Sequence, residues 1–398
     1  MQMKIFVSEY GSGDRAGDSR EREIAWENGK GLEKAIEQAE PDTEIALRRA
    51  TYRLTQPILW RKSGRSSRPI RVTGDGTAAQ GNDYGKSVLS VRDGWPTVVG
   101  DRPAHTGSGS AGNDFLRLQD GVENIVIEQL NLQNFARCFV AEGGHNESVI
   151  VQSIWADNLR QFASILSKQG HNSSNDWHIR RCHLTGVSRR AIRAEGLHDS
   201  DFIDIYADCK DQQDQLHSGD WPLLFHAEAD AHDLKFERCC GVNPHQPGDS
   251  YDNGDSFATE DRTRRIRFIN CVAYQASDAG FDLKGQGHEL QRCYAERVGN
   301  RAYRIWGESE LQQCMAEAQG EAKGDNAAIW VNDGTAIISE FTGKDMACPI
   351  AIDGSGSVRI SNSQFQLRRE LQNQGYTLTN RIKQGGTIRE ENVKYQLV

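Results

Sequence analysis

The chain has 398 residues, with 47 Lys and Arg against 56 Asp and Glu, a net charge of −9 and a hydrophobic fraction of 37%. An acidic balance disfavours a general nucleic-acid binder, because phosphate contacts need a basic face, and no stretch approaches the ~20 apolar residues of a membrane-spanning helix. The nine cysteines include no C-x-x-C pair, which gives a zinc site little support, and an odd number argues against a full disulfide framework.

The amino terminus, MQMKIFVSEYGSGDRAGDS, reads as a strand followed by a glycine turn and lacks an apolar signal-peptide stretch. It fits either a secreted or periplasmic protein whose signal has been removed, or a cytoplasmic one. Residues 29–39 (GKGLEKAIEQA) have helical spacing, with Leu32, Ala35 and Ile36 on one side. Such a helix would plug the open end of a solenoid. DTEIALRRATYRL, with Ile45, Leu47 and Tyr52, follows as a strand candidate, so an amino-terminal cap is expected over about 1–60. Residues 74–113, rich in Gly, Ser, Asp and Pro, read as inserted loops, 115–367 as regular coils and 368–398 as a polar tail along or over the last coil.

The regular region is organised by a recurrent pentapeptide: CFVAE, SILSK, AIRAE, LFHAE, SFATE, GFDLK, AYRIW, AIWVN and PIAID. Second and fourth positions are apolar or small, from Phe139/Ala141 to Ile350/Ile352, and third and fifth are mostly polar, a period of two. Between these rungs a second motif recurs in step: VIVQS at Val149, then segments ending at Cys182, Cys239, Cys271, Cys293 and Cys314. Two strands per repeat of two to three dozen residues describe a solenoid coil. The expected fold is all-β, a right-handed parallel β-helix forming a single domain over 1–398, with the cysteines stacked inside as small hydrophobes. A monomer is expected.

The third and fifth rung positions then share one outward face, with residues of adjacent coils about 4.8 Å apart. That face carries Arg193, His226, Glu228, Glu260, Asp282, Lys284, Arg304, Trp306 and Trp330. Large outward aromatics mark binding sites, and indole faces with guanidinium forks suit the sugar rings and carboxylates of an acidic polysaccharide. Arg193, His226, Glu228, Trp306 and Trp330 are therefore expected to contact substrate. The loop PGDSYDNGDSF places Asp249, Asp252 and Asp255 before one rung, and Asp278 and Asp282 flank the next. Carboxylates converging from adjacent coils repel unless a cation sits between them, and oxygen-only ligation favours calcium.

The run NGDSFATE, SDAGFDLK, GNRAYRIWG resembles that of family nine pectate lyases, where NxDGF, DDGWD and NxxGFKLGG segments lie on successive coils. The resemblance implies calcium ligands at Asp255, Asp278 and Asp282 and puts the catalytic lysine of the family at Arg304. Ala279 stands where the family has a second aspartate, with Glu260 or Asp252 as the compensating ligand. Other β-helical pectate lyases are thought to use arginine as base, and Lys284 followed one coil later by Arg304 resembles the base and acid pair of β-helical alginate lyases. The implied activity is β-elimination on a uronan with Arg304 and Lys284 as catalytic groups. Hydrolysis by paired carboxylates, C5 epimerisation and a non-catalytic carbohydrate-binding or adhesion solenoid are the alternatives.

Overall fold

The computed structural model describes residues 3–10, 23–75, 94–103, 111–167, 174–210, 222–245, 253–318, 327–368, 380–382 and 385–398. The chain is a right-handed parallel β-helix with, among the described residues, one short α-helix near its amino terminus. It divides into two compact units, Met1–Ser188 with Gly196–Ile205 and Asp211–Asp214, and Arg189–Glu195 with Tyr206–Lys210 and Gln215–Val398. Among the described residues no helix is long and apolar enough to cross a membrane.

In the first unit the coils stack in three parallel ladders, as three short strands in the early coils and as continuous strands such as Glu123–Glu142 and Glu147–Leu166 later. One ladder stacks Ile5, Ile45, Val72 and Ile127, a second Tyr52, Val98 and Leu132, and a third Ile58, Leu116 and Phe139. All of these side chains are buried. Paired coil strands therefore begin at Lys4–Ser8, inside the segment expected as a cap, and Thr97–Val99 is a coil strand inside the expected loops. A three-residue strand such as Thr97–Val99, with only Val98 inward, leaves no period for a sequence to reveal. The helix, Lys30–Gln38, buries Leu32, Ala35 and Ile36 as expected. Gly31 lets it approach the preceding strand, since a Cβ there would lie 1.7 Å from the Ala25 carbonyl oxygen.

Phe139 pairs with Ala163 and Ala141 with Ile165, so the SILSK rung sits two residues from its expected alignment. A shift of two preserves the inward face, whereas a shift of one would invert it.

In the second unit the rungs stack in the expected register. One inward column runs Ile192, Phe225, Phe257, Phe281, Tyr303, Ile329 and Ile350, and the next runs Ala194, Ala227, Thr259, Leu283, Ile305, Val331 and Ile352. The rings of Phe225, Phe257, Phe281 and Tyr303 follow one another at 4.8, 4.7 and 5.1 Å, nearly parallel. This is the coil spacing, so each ring packs on its predecessor. Cys239, Cys271, Cys293 and Cys314 stack beside them; the thiols of Cys271, Cys293 and Cys314 donate to carbonyls of the preceding coil, at Phe236, Phe268 and Leu290. All nine cysteines are free.

The coils from Leu223 to Met346 have three strands rather than two. The third is short, as in Val272–Tyr274, Tyr294–Glu296 and Met315–Glu317, with Ala273, Ala295 and Ala316 inward. Small inward residues give almost no hydrophobic signal, which hid this strand. The corner before it is turned by a left-handed residue preceding each cysteine: Arg238, Asn270, Arg292 and Gln313 have φ of 51°, 52°, 52° and 54°. Past the rungs, Thr387–Leu397 pairs with Ser357–Leu367, so the tail adds a further strand.

Candidate active site

The rung strands of the second unit carry an outward column of Arg193, His226, Ala258, Asp282, Arg304, Trp330 and Ala351. Two residues further along each chain come Glu195, Glu228, Glu260, Lys284 and Trp306, at the turn. At the strand starts lie Asp255 and Ala279, whose amide donates to Asp255 Oδ1 at 2.8 Å. The register thus brings together the residues singled out from the sequence. Asp249 and Asp252 lie outside the described residues.

Outward does not mean open. Trp330 is 4% exposed, His226 2%, Asp255 1%, Asp278 3% and Asp282 6%. The expectation of an open face with two exposed tryptophans is corrected accordingly. Trp330 donates its Nε1–H to Asp353 at 2.7 Å and packs with Ala327, Cys348, Ala351 and Trp306. The small neighbours on its column and the adjacent one let the indole lie down on the sheet. Trp306, half-buried, keeps part of its surface accessible and donates to Asp282 Oδ1 at 2.8 Å.

Arg304 is the hub. Its Nη1 donates to Asp278 Oδ2 at 3.0 Å and its Nε lies 3.6 Å from Asp282 Oδ1. Its guanidinium sits over the Trp306 ring at 4.9 Å and the Trp330 ring at 5.5 Å, a cation–π arrangement that further favours the charged form. Asn300 donates to the other Asp278 oxygen at 2.7 Å. Burial, then the charges of Asp278 and Asp282, push the Asp255 carboxyl well above its ordinary range, against Arg304 and the Ala279 amide. Burial also raises Asp282, against the opposing charges of Arg304 and Lys284.

The neighbouring cluster is held the other way. Lys284 Nζ donates to Glu260 Oε2 at 2.7 Å. His226 Nδ1 accepts from Arg190 Nε at 3.1 Å, which puts the proton of the neutral ring on Nε2, 3.3 Å from Glu260 Oε1. Burial dominates and holds the His226 pKa below its ordinary value. Burial disfavours the Glu260 charge, but the His226 and Lys284 hydrogen bonds outweigh it and bring the carboxyl down to about 2. For Lys284, burial is likewise outweighed by Glu260 and the charges of Asp282 and Asp255, so its pKa is raised and it stays an ammonium. Arg193 pairs with Glu228 and, at 3.4 Å, with Glu195.

This donor set does not fit calcium. Arg304 already bridges Asp278 and Asp282, Asp255 accepts from a backbone amide, and Asn300 takes a further oxygen. The one group of acidic and imidazole side chains within mutual metal-ligating reach among the described residues is elsewhere, at Glu123, His145 and Glu147 in the first unit.

Sequence reasoning missed the floor of the adjoining groove. A cavity of about 440 Å³ beside Trp306 is lined by Gly285, Gly307, Gly334, Asp261, Glu308 and Asp333, among others. A Cβ on Gly307 would lie 1.6 Å from the Gly285 carbonyl oxygen, and one on Gly334 2.0 Å from that of Gly307. The recurring glycine just after the rungs in LKGQG, RIWGES and VNDGT was the available signal.

No protein-family model matches the chain, and no curated protein sequence matches it. Among solved structures it is similar to a glycoside hydrolase family 136 lacto-N-biosidase from Eubacterium ramulus, at 10% identity and TM-score 0.49, over 100% of this chain and 68% of that one. It is similar also to the A-module of mannuronan C-5 epimerase AlgE4 from Azotobacter vinelandii, at 13% identity and TM-score 0.46, with 98% of each chain covered. Against pectate lyase Pel9A the identity is 13% and the TM-score 0.35, over 88% of this chain and 78% of that one. At these identities the likeness is one of fold, and the paired ladders establish that fold by themselves.

Proposed function

We propose that the protein is an enzyme that cleaves a uronic-acid-containing polysaccharide by β-elimination at the outward face of the second unit. The observation that carries this reading is the placement of two cations, Lys284 and Arg304, on successive coils beside the Trp306 indole and the raised carboxyl of Asp282. Elimination breaks the C5–H bond, forms the C4–C5 double bond and breaks the bond from C4 to the glycosidic oxygen. A carboxylate with a raised pKa is a stronger base than an ordinary one, so Asp282 receives the C5 proton. The Lys284 ammonium, at the accessible edge with Glu260, gives a proton to the departing oxygen.

Arg304 then neutralises charge and does not act as the base, because the buried carboxylates and indoles around it stabilise the guanidinium, which never readily deprotonates. In this reading it supplies the positive charge that the family resemblance assigned to calcium. Trp306 stacks on a sugar ring, and substrate reaches Asp282 by displacing that indole. Arg193 meets a neighbouring uronate, while Glu228, His226 and Trp330 position the groups around them. A secreted or periplasmic setting suits action on such a polymer, with burial protecting most of the thiols.

Hydrolysis is the second reading, favoured by a specific observation. Among the described residues, the groove beside Trp306 is lined by Asp261, Glu308 and Asp333 and by no Lys or Arg, which suits a neutral glycan better than a uronan. Asp282 raised and Glu260 held at about 2 are, in addition, carboxyls with opposite tendencies to ionise, the pattern of a glycosidase acid and its partner. Incubation with pectate, alginate, glucuronan, glycosaminoglycans and neutral glycans separates the two. Unsaturated, ultraviolet-absorbing ends support elimination; new reducing ends without unsaturation support hydrolysis and overturn it.

A further inference from the structure

We propose a second saccharide-binding site, for an acidic glycan chain, on the outer surface of the first unit. A cavity of about 490 Å³ is lined there by Arg49, Thr51, Trp95, Thr97, Asn131 and Trp155, among others. Its volume falls within the ~300–1,000 Å³ of small-molecule sites. The strand register explains how it forms. Thr51 pairs with Thr97, Thr97 with Asn131 and Asn131 with Trp155, so one outward position of four successive strands becomes a row. At ~4.8 Å per coil the row spans roughly 14 Å.

Its chemistry selects the ligand. Hydroxyl and amide groups repeat along the row at coil spacing and end on the Trp155 indole, a polar track with an aromatic platform suited to a chain of hydroxylated rings. Trp95 is 6% exposed, and its buried Nε1–H has no hydrogen-bond acceptor among the described residues. A buried donor left unmade is costly, and a ligand hydroxyl or carboxylate would satisfy it. Arg49, exposed, is the charged residue among the described residues of the lining, which include no carboxylate. A guanidinium with open donors recognises carboxylates through its fork, so a uronic acid fits where a neutral hexose would leave the charge unused. The site lies wholly in the first unit and does not depend on the reaction assigned to the second.

Titration calorimetry with short oligogalacturonates, oligoalginates and neutral gluco-oligosaccharides tests the proposal on the full chain, in a Trp306→Ala background that removes the indole contact in the second unit. Binding of at least one oligouronate is expected, weakened by salt. Arg49→Gln should lower that affinity by roughly tenfold to a hundredfold, the loss typical of one charge-assisted hydrogen-bond pair, and abolish most of the salt dependence. Trp155→Ala should weaken it comparably without removing the salt dependence. Arg49 is exposed, so its substitution leaves folding intact and keeps the test meaningful even if Trp155→Ala is unstable. Failure of all oligouronates to bind, equal affinity for neutral oligomers, or unchanged binding in Arg49→Gln would each overturn the proposal.

Discussion

Arg304 joins two buried carboxylates and two indoles, so its removal should be felt first in stability. Arg304→Ala leaves Asp278 and Asp282 buried without their partner, and losses of about 3–5 kcal/mol are typical of such a broken pair. Arg304→Lys keeps the charge but loses the fork and the flat stacking surface, so urea unfolding should place it between wild type and alanine. Glu260 gives a pH signature with a definite sign. Its folded pKa, about 2, is below the ordinary glutamate value, so its contribution to stability is present above that ordinary value and lost as pH falls toward the folded one. Glu260→Gln should flatten the acid limb of the stability profile over that interval; an unchanged limb would mean that the His226 and Lys284 contacts do not hold in solution.

Two tests belong to the scale of the coil. Phe257 packs between Phe225 and Phe281, and its replacement by alanine should cost about 3–5 kcal/mol, seen as a large fall in thermal midpoint. Gln275 is exposed at a corner with φ of 54°. A non-glycine residue in this region costs roughly 1–2 kcal/mol, so Gln275→Gly should match or exceed wild-type stability, whereas Gln275→Val should fall below it. These elements were unequally legible. The rungs and the cysteine column each repeat a large or distinctive inward side chain, so the sequence carries their register. The third strand shows only Ala or Gly inward, and the amino-terminal coils are separated by long insertions, so neither leaves a period to read. Within the site, alternation along the strands sufficed to predict which residues share a face. Burial of Trp330 and His226 was not legible, because it depends on neighbours such as Ala327, Ala351 and Arg190, which only the fold brings beside them.

At the scale of the molecule, one scaffold carries two surfaces of different character, each confined to its own unit. In the second unit the proposed reaction uses a guanidinium among carboxylates where the family resemblance implied calcium. A chelator should therefore leave turnover unchanged, and added calcium should not raise it; a rate that depends on calcium would return the metal to the site and displace Arg304 from its role.

The central claim, elimination at the Asp282, Lys284 and Arg304 face, is tested most directly by the product formed from oligouronates by wild type, Asp282→Asn and Lys284→Ala. The account predicts a 4,5-unsaturated end from wild type, detected by ultraviolet absorbance and mass spectrometry. Turnover should fall by about 100-fold or more in each variant, as for loss of a general acid or base, while the fold is retained. Saturated products from the wild type, or full turnover in both variants, would contradict it.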